Sequence, residues 1–430
     1  MLNRAVPKGR KLRVYADLHI HSKYSRATSS GMDVDEIAHY GAIKGLNLVG
    51  TGDFTHPKWL EELERKLVEI EDDGIYERAP GGGTVKFVIS GEVNTVFEYE
   101  GRSRKIHNVI LVPNFEVAGQ LIDRLRRFGN LEADGRPTLA LSAPELIEEA
   151  LQVSREILVF PAHAWTPWFS LFGANSGFNS LEECYQDMAK DVYALETGLS
   201  SDPPMNWRLS ELDRYALLSN SDSHSAWPWR LGREANVFEL KELSYHELVA
   251  AIRAKDPERL KFTIEMYPQY GKYHWTGHRK CGISMPPKEA IAVNNVCPKC
   301  GRRMAKGVEQ RVEELADREP NYKPPESMGY VHLLPLSEII AAVLGVESSS
   351  SPKVWKIYNA LIKRFGNEYN VALHASKEEL SKEAGPEIAE AIIKIRGGKV
   401  TIQPGYDGKY GEIKFFEPRG EREPSLLNYI

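Results

Sequence analysis

Up to about residue 265, short apolar or β-branched runs alternate with polar segments and with stretches of helical period. Seven of these runs read as strands: Val14–Leu18, Leu46–Thr51, Val85–Ser90, His107–Val112, Ile157–Pro161, Val192–Glu196 and Tyr215–Ser219. Between the first two, the stretch Gly31–Gly45 predicts a helix. Asp33 can cap it with Glu36 three residues on, Ile37 and Ala38 face inward, and Gly45 stops it. Strands separated by helical connections predict an α/β fold with a parallel sheet, which a barrel closes best.

Near Tyr267–Gly271 the texture changes to Gly, Pro, Tyr, His and Cys without strand period, as far as Gly307. A helical stretch Gln310–Ala316 and a linker, Glu319–Met328, follow. The remainder predicts short helices over Leu336–Leu344, Pro352–Phe365, Lys377–Lys382 and Pro386–Ile395. Ser376 with Glu379 forms a capping box, and Ser351-Pro352 is a good start for a helix. A glycine-rich β-hairpin comes last. The expected organisation is therefore a barrel (1–266), a small module bearing His and Cys (267–318) and a helical C-terminal domain with hairpin and tail (319–430).

Composition narrows the class. With 430 residues, 42% of them hydrophobic and 27% charged, two or three soluble domains are expected. No apolar run approaches the ~20 residues needed to cross a membrane, and the first residues lack the apolar middle of a signal peptide. Four cysteines do not make a secreted disulfide scaffold, so a reducing, cytoplasmic location is expected. Charge is uneven: between Lys272 and Lys306, eight Lys or Arg stand against a single acid, Glu289, in a chain of net charge −5. Such an island fits either a polyanion contact or a solvated face.

Metal-ligand side chains gather at the predicted strand ends, where parallel barrels build their sites. These are His19 and His21, Asp53 and His56, Glu92, His107, His163, and Asp222 with His224. In His19-x-His21 and Asp222-x-His224 the side chains leave the same face of an extended chain, so each pair can reach one ion. Imidazole nitrogen and carboxylate oxygen suit Zn²⁺, Mn²⁺ or Fe²⁺, and Mg²⁺ is a further candidate. A bridging carboxylate can hold two ions close together for phosphate-ester hydrolysis.

The run D-L-H-I-H-S (17–22), the strand-end Glu92, the strands of His107 and His163, and S-D-S-H (221–224) resemble the motifs of polymerase-and-histidinol-phosphatase (PHP) phosphoesterases, over about residues 12–265. The resemblance implies a distorted barrel of seven β/α units with a three-metal site. It implies one metal on His19, His21, Glu92 and Asp222, and a second on Glu92, His107 and His163. A third would rest on His224 with Asp53 and His56 as candidates. Here the chain departs from the family, with G-D-F-T-H (52–56) in the second motif and no acid after the first histidine pair. Arg26 stands there instead, either to hold substrate phosphate or to pair with a surface acid; Glu92 and Asp222 are the other expected catalytic residues.

His278-x-x-Cys281 and Cys297-x-x-Cys300, with fifteen residues between them, predict a closed structural Zn²⁺ site, with His274 competing for the fourth place. Arg279, Lys280, Arg302 and Arg303 around it form a basic surface suited to a nucleic-acid backbone. The loop after His163 is rich in aromatic and amide residues: Trp165, Trp168, Phe172, Asn175, Phe178 and Asn179. It can stack on and read a base, or serve as a packed lid. Cys184 reads as a core residue.

Taken with G-D-F-T-H-P (52–57), P-A-H-A-W-T-P-W (161–168), Y-H-W-T-G-H-R-K-C-G (273–282) and C-P-K-C-G (297–301), these features resemble the endonuclease Q family over nearly the whole chain. That resemblance implies a DNA repair endonuclease nicking 5′ to deaminated bases (uracil, hypoxanthine, xanthine) or abasic sites, leaving 3′-hydroxyl and 5′-phosphate ends. A PHP-type small-molecule phosphatase such as histidinol phosphatase, and a noncatalytic DNA-binding accessory protein, are the alternatives. The final residues, with Leu426, Tyr429 and Ile430, match part of a sliding-clamp-binding peptide, or pack on the helical domain.

Overall fold

A computed structural model describes residues 11–415. The tail with Leu426, Tyr429 and Ile430 lies outside the described residues.

Strand Leu12–Asp17 stands at the centre of an eleven-stranded sheet. It pairs parallel with Leu48–Gly50, which pairs parallel with Lys86–Tyr99. From there the sheet turns antiparallel, through Arg102–Val112 to Leu158–Pro161. On the other side Leu12–Asp17 runs antiparallel to Ala235–Leu240, that strand runs antiparallel to Leu260–Glu265, and Gly329–His332 then adds in parallel. The sheet is thus mixed and not parallel. The expected parallel barrel overlooked a hairpin: Glu100 and Gly101 take left-handed backbone and fold Lys86–Tyr99 onto Arg102–Val112. Polar residues at that turn and on both flanks hid it from an apolar-run reading.

Ala194–Glu196 and Ala216–Leu218 form a separate parallel pair. Ala164 N–H donates to the Glu196 carbonyl at 2.9 Å, and Ile20 bridges Ser223, so this pair lies between the ends of strands Leu158–Pro161 and Leu12–Asp17. Every residue of Leu48–Gly50, Leu158–Pro161, Ala194–Glu196 and Ala216–Leu218 is buried, which explains their short sequences, apolar throughout but for Glu196. At Gly50 strands approach closely, since a Cβ would lie 2.4 Å from the Leu18 carbonyl oxygen and 2.3 Å from Ser90 Oγ.

Helix Val34–Lys44 begins where expected, with the Asp33 carboxylate accepting from the N–H groups of Asp35 and Glu36, and ends at Gly45 with φ 105°. Helices Leu336–Leu344, Pro352–Phe365, Lys377–Ala384 and Pro386–Arg396 match the sequence reading to within two residues, as does the hairpin Thr401–Gln403/Glu412–Lys414. Their apolar faces join the same continuous core as the sheet: Val14, Ile110, Leu336, Leu361 and Ile392 belong to one cluster. A buried ion pair ties the two regions together. Lys44 Nζ donates to Glu368 Oε1 at 2.7 Å and to the Pro228 carbonyl at 2.8 Å, while Tyr358 OH and Leu336 N–H complete the Glu368 carboxylate. Ala290, Cys297 and Met304 form a separate small cluster. Among the described residues no helix is long and apolar enough to cross a membrane.

Candidate metal centre

Strand Lys86–Tyr99 carries Glu92 into the middle of the strand ends, fully buried. Its two oxygens face two histidine pairs. Oε2 lies 3.1 Å from His21 Nε2 and 3.5 Å from His19 Nε2, while Oε1 lies 2.7 Å from His107 Nδ1 and 3.3 Å from His163 Nε2. Asp222 Oδ1 closes the first group, 3.0 Å from His21 Nε2 and 3.8 Å from His19 Nε2. Two sets of potential ligand atoms therefore gather within 4.8 Å: His19, His21, Glu92 and Asp222, and Glu92, His107 and His163. The i, i+2 spacing of His19 and His21 brings both to one point, as the alternation of an extended chain requires.

The polar atoms at this point are buried without hydrogen-bond partners: His19 Nε2, His21 Nε2, Glu92 Oε1 and Asp222 Oδ1. Each such atom costs ~1–3 kcal/mol unless something meets it. The two histidine nitrogens and the Asp222 oxygen converge on the first group and Glu92 Oε1 on the second, which fits metal ions of the imidazole- and carboxylate-binding kind. Burial works against charge on Glu92, but His107, Arg136 and His19 outweigh it and hold the carboxyl well below the usual carboxylate range. Burial brings His107 down to about 4, whereas facing carboxylates outweigh burial at His19 and His21 and raise both.

Carboxylates behind the rings aim them. Glu196 lies 3.1 Å from His19 Nδ1, accepts from the His163 backbone N–H at 2.7 Å and from Asn220 at 2.8 Å. Asp53 Oδ1 lies 3.0 Å from His21 Nδ1. Asp17 accepts from the N–H groups of Ser221 (3.0 Å) and Gly232 (2.9 Å), steadying the turn that presents Asp222; burial pushes its carboxyl up to about 6.

The expected third ligand set is not brought together as one group. Asp53 is spent on the protein, because its Oδ2 accepts from Ser22 N–H (2.6 Å), Ser22 Oγ (2.7 Å) and Ser25 Oγ (2.9 Å) while Oδ1 faces His21. His56 stacks on Tyr24 with ring centroids 4.5 Å apart, and burial lowers its pKa. His224 sits at the edge of the cluster, its ring 4.3 Å from that of His21, but its Nδ1 turns to the Asp222 carbonyl at 3.0 Å. Among the described residues these three do not form a ligand group.

Of the two alternatives for Arg26, the structure shows the surface pairing: its side chain is 81% exposed and Nε lies 3.3 Å from Asp134 Oδ2. The arginine at the cluster is Arg136, whose Nη1 lies 3.1 Å from Glu92 Oε2. No motif pointed to it, since it sits in an aperiodic loop. Glu196 was visible as a strand end without a role. In the aromatic loop, Trp165, Phe172 and Phe178 are buried as a packed lid, and Asn179 accepts from Arg311. Trp168, 47% exposed, and Asn175 face outward. Beside the centre opens a cleft of about 650 Å³, lined by Asp222, His224, Arg230, Tyr267, Tyr270 and Tyr410, among others.

The second ligand group is built from two turns. Hairpin Thr276–His278/Ile283–Met285 presents His278 and Cys281, and the turn closed by Gly301 N–H to the Cys297 carbonyl presents Cys297 and Cys300. Burial opposes the Cys297 thiolate, but hydrogen bonds from His278 and from the N–H groups of Lys299 and Cys300 outweigh it and bring the thiol down to about 6. His274 is not in this group; it faces Glu309 at 3.4 Å. Arg279, Lys280, Arg302 and Arg303 are exposed around it, and Cys184 is buried in the core.

Residues 335–399 match the family model described as the MJ0043 C-terminal domain. The chain is 30% identical to YqxK of Bacillus subtilis over 425 residues, covering 94% of this chain and 99% of that protein. It is 37% identical to MJ0043 of Methanocaldococcus jannaschii over 261 residues, which is 59% of this chain but 31% of MJ0043. The fold and the clustered ligands define a metal-dependent hydrolase. The crystal structure of the lesion-specific endonuclease PfuEndoQ from Pyrococcus furiosus superposes with a TM-score of 0.85 at 36% identity, over 97% of this chain and 99% of that one. Endonuclease Q in complex with a 27-mer duplex carrying an abasic lesion at the active site gives 0.83 at 37%, over 94% and 97%. The chain belongs to the endonuclease Q family.

Proposed function

We propose that this chain is a DNA repair endonuclease that hydrolyses the phosphodiester 5′ to a deaminated base or an abasic site, leaving 3′-hydroxyl and 5′-phosphate ends. The observation that carries the reading is the pair of ligand groups sharing Glu92 beside an open cleft, in a chain alike over nearly its whole length to an endonuclease crystallised on abasic DNA.

In this reading His19, His21, Glu92 and Asp222 hold one ion, and Glu92, His107 and His163 a second. Zinc suits the donor set, and Mn²⁺ or Mg²⁺ are alternatives. Bound there, such ions supply Lewis-acid charge to the phosphodiester. The protein's own share is orientation. Glu196 and Asp53 fix the ring tautomers and directions of His19 and His21. Asp17 holds the Asp222 turn, and His224 stands at the cluster's open edge, where it can face substrate. His278, Cys281, Cys297 and Cys300 hold a structural zinc, and Arg279, Lys280, Arg302 and Arg303 lay a basic surface along the DNA backbone. Exposed Trp168 supplies the stacking surface that the rest of the aromatic loop, being packed, does not.

The test uses end-labelled duplexes carrying one uracil, one hypoxanthine, one abasic site or no lesion, with Zn²⁺, Mn²⁺ or Mg²⁺ added. A single nick immediately 5′ to the lesion is expected. Equal cutting of undamaged duplex, or none of any duplex, overturns the reading.

A further inference from the structure

We infer that Arg136 is a catalytic residue of this centre, its guanidinium contacting a non-bridging oxygen of the scissile phosphodiester while it stays anchored on Glu92. The inference rests on the proposed phosphodiesterase reading and names a group that no ligand motif contains.

Three observations place it there. First, Arg136 Nη1 meets Glu92 Oε2 at 3.1 Å, on the oxygen that also faces His19 and His21. Second, its loop is pinned against the centre. Gly135 N–H donates to the Tyr24 carbonyl at 3.0 Å, and the residue at 135 must lack a Cβ, which would fall 2.3 Å from Asp53 Oδ2 and 2.4 Å from Ser25 Oγ. One residue further, the Pro137 carbonyl accepts from Asn94 N–H at 2.9 Å, two positions along the strand from Glu92. Asp134 Oδ1 accepts from the Arg136 N–H at 3.2 Å. A backbone held on both sides leaves the guanidinium little freedom. Third, the side chain is 26% exposed, and among the described residues Glu92 is its sole side-chain partner.

A guanidinium offers five N–H donors in a planar fork that matches carboxylate and phosphate oxygens. Here one arm is committed to Glu92 and the others remain open. An arginine needed to neutralise Glu92 alone would be better placed fully buried with its fork closed on the carboxylate. Clamped in place beforehand, the free arm can meet charge that develops on a phosphate oxygen without reorganising.

The test compares the wild type with Arg136→Gln and Arg136→Lys by three measurements. Metal stoichiometry and thermal stability should be unchanged in both variants. In metal-loaded protein, with an abasic duplex carrying an uncleavable methylenephosphonate at the scissile position, Arg136→Gln should weaken binding and lower the slope of log K against log salt by about one, as loss of one phosphate contact does. Single-turnover cleavage of the unmodified abasic duplex, and of bis(p-nitrophenyl) phosphate, should fall by ~10²–10³ in Arg136→Gln, the range for removing one preorganised donor. Arg136→Lys should recover part of that loss, because it keeps the charge but not the fork. Wild-type cleavage rates in either variant overturn the inference, as does loss of bound metal accounting for the whole defect. Should Arg136→Gln fail to fold, Arg136→Lys decides, a rate within twofold of wild type counting against. If the wild type itself leaves the lesion duplex intact but cleaves bis(p-nitrophenyl) phosphate, the lesion reading has failed and the arginine series still decides.

Discussion

Asp53, His163 and Asp222 all sit at positive φ, 48°, 29° and 46°, backbone that L-residues seldom adopt. Strain of this kind persists where surrounding contacts over-determine it, and here the contacts are those of the cluster. Aiming therefore matters as much as ligation. Exchanging Glu196 for Gln puts an N–H₂ where His19, His163 and Asn220 all donate. Glu196→Gln should weaken metal binding at the centre ~10–100-fold without unfolding the protein, measured by competition with a chromophoric chelator. A second residue-scale prediction concerns the buried carboxyls of Glu234 and Glu265. Burial, outweighing hydrogen bonds from Thr263 and Thr197, raises Glu265 to about 8. The folded protein then binds a proton that the unfolded chain releases near pH 4.5, so stability falls as pH rises from about 4.5 to about 8 and levels off above. Each pH unit in that window costs on the order of 1.4 kcal/mol. Glu265→Gln should flatten the pH dependence of Tm across this window; an unchanged slope counts against it. At this scale the sequence was legible where spacing speaks. His19, His21, Glu92, His107, His163 and Asp222 announce themselves by residue type at strand ends. Asp53 did too, yet it faces the back of His21, because a carboxylate that aims a histidine has the same sequence signature as one that binds a metal. Arg136 was silent, since only the fold brings its loop to Glu92.

Among the elements, helices of the C-terminal region could be read almost to the residue because caps and prolines punctuate them: Ser351 and Ser376 accept from the N–H groups three residues on. Strands Leu67–Ile70, Ile75–Arg78, Ala235–Leu240, Leu260–Glu265 and Gly329–His332 went unread. They are short or carry charged residues on an open face, so pairing decides them, across a tight turn for the first two and with partners further off in sequence for the rest. The zinc-type module lies between these extremes. Its own apolar cluster, Ala290, Cys297 and Met304, is too small to hold a fold. The four candidate ligands His278, Cys281, Cys297 and Cys300 are suited to organise it around an ion. Replacing Cys297 and Cys300 together by Ser should release one equivalent of zinc and loosen residues near 276–304, seen as faster amide exchange there, while the protection of the sheet stays as before. Unchanged zinc content would show that other residues hold the ion.

Over the whole molecule, one core runs from the sheet into the C-terminal helices, and the Lys44–Glu368 pair lies within it, both side chains 3% exposed. Removing one partner of such a pair leaves a bare charge, at ~3–5 kcal/mol. Lys44→Met should lower the urea midpoint accordingly, and Lys44→Met with Glu368→Gln should recover much of it. The same contact bears on evolution and engineering. The region matched as the MJ0043 C-terminal domain is not a detachable passenger here, because helix Val34–Lys44 presents an ammonium to it from inside the wall. A descendant that shed everything after His332 would inherit a stranded lysine, so residue 44 should have to change before, or together with, any such loss. Trimmed chains bearing Met at 44 should accordingly survive limited proteolysis longer than trimmed chains that keep the lysine.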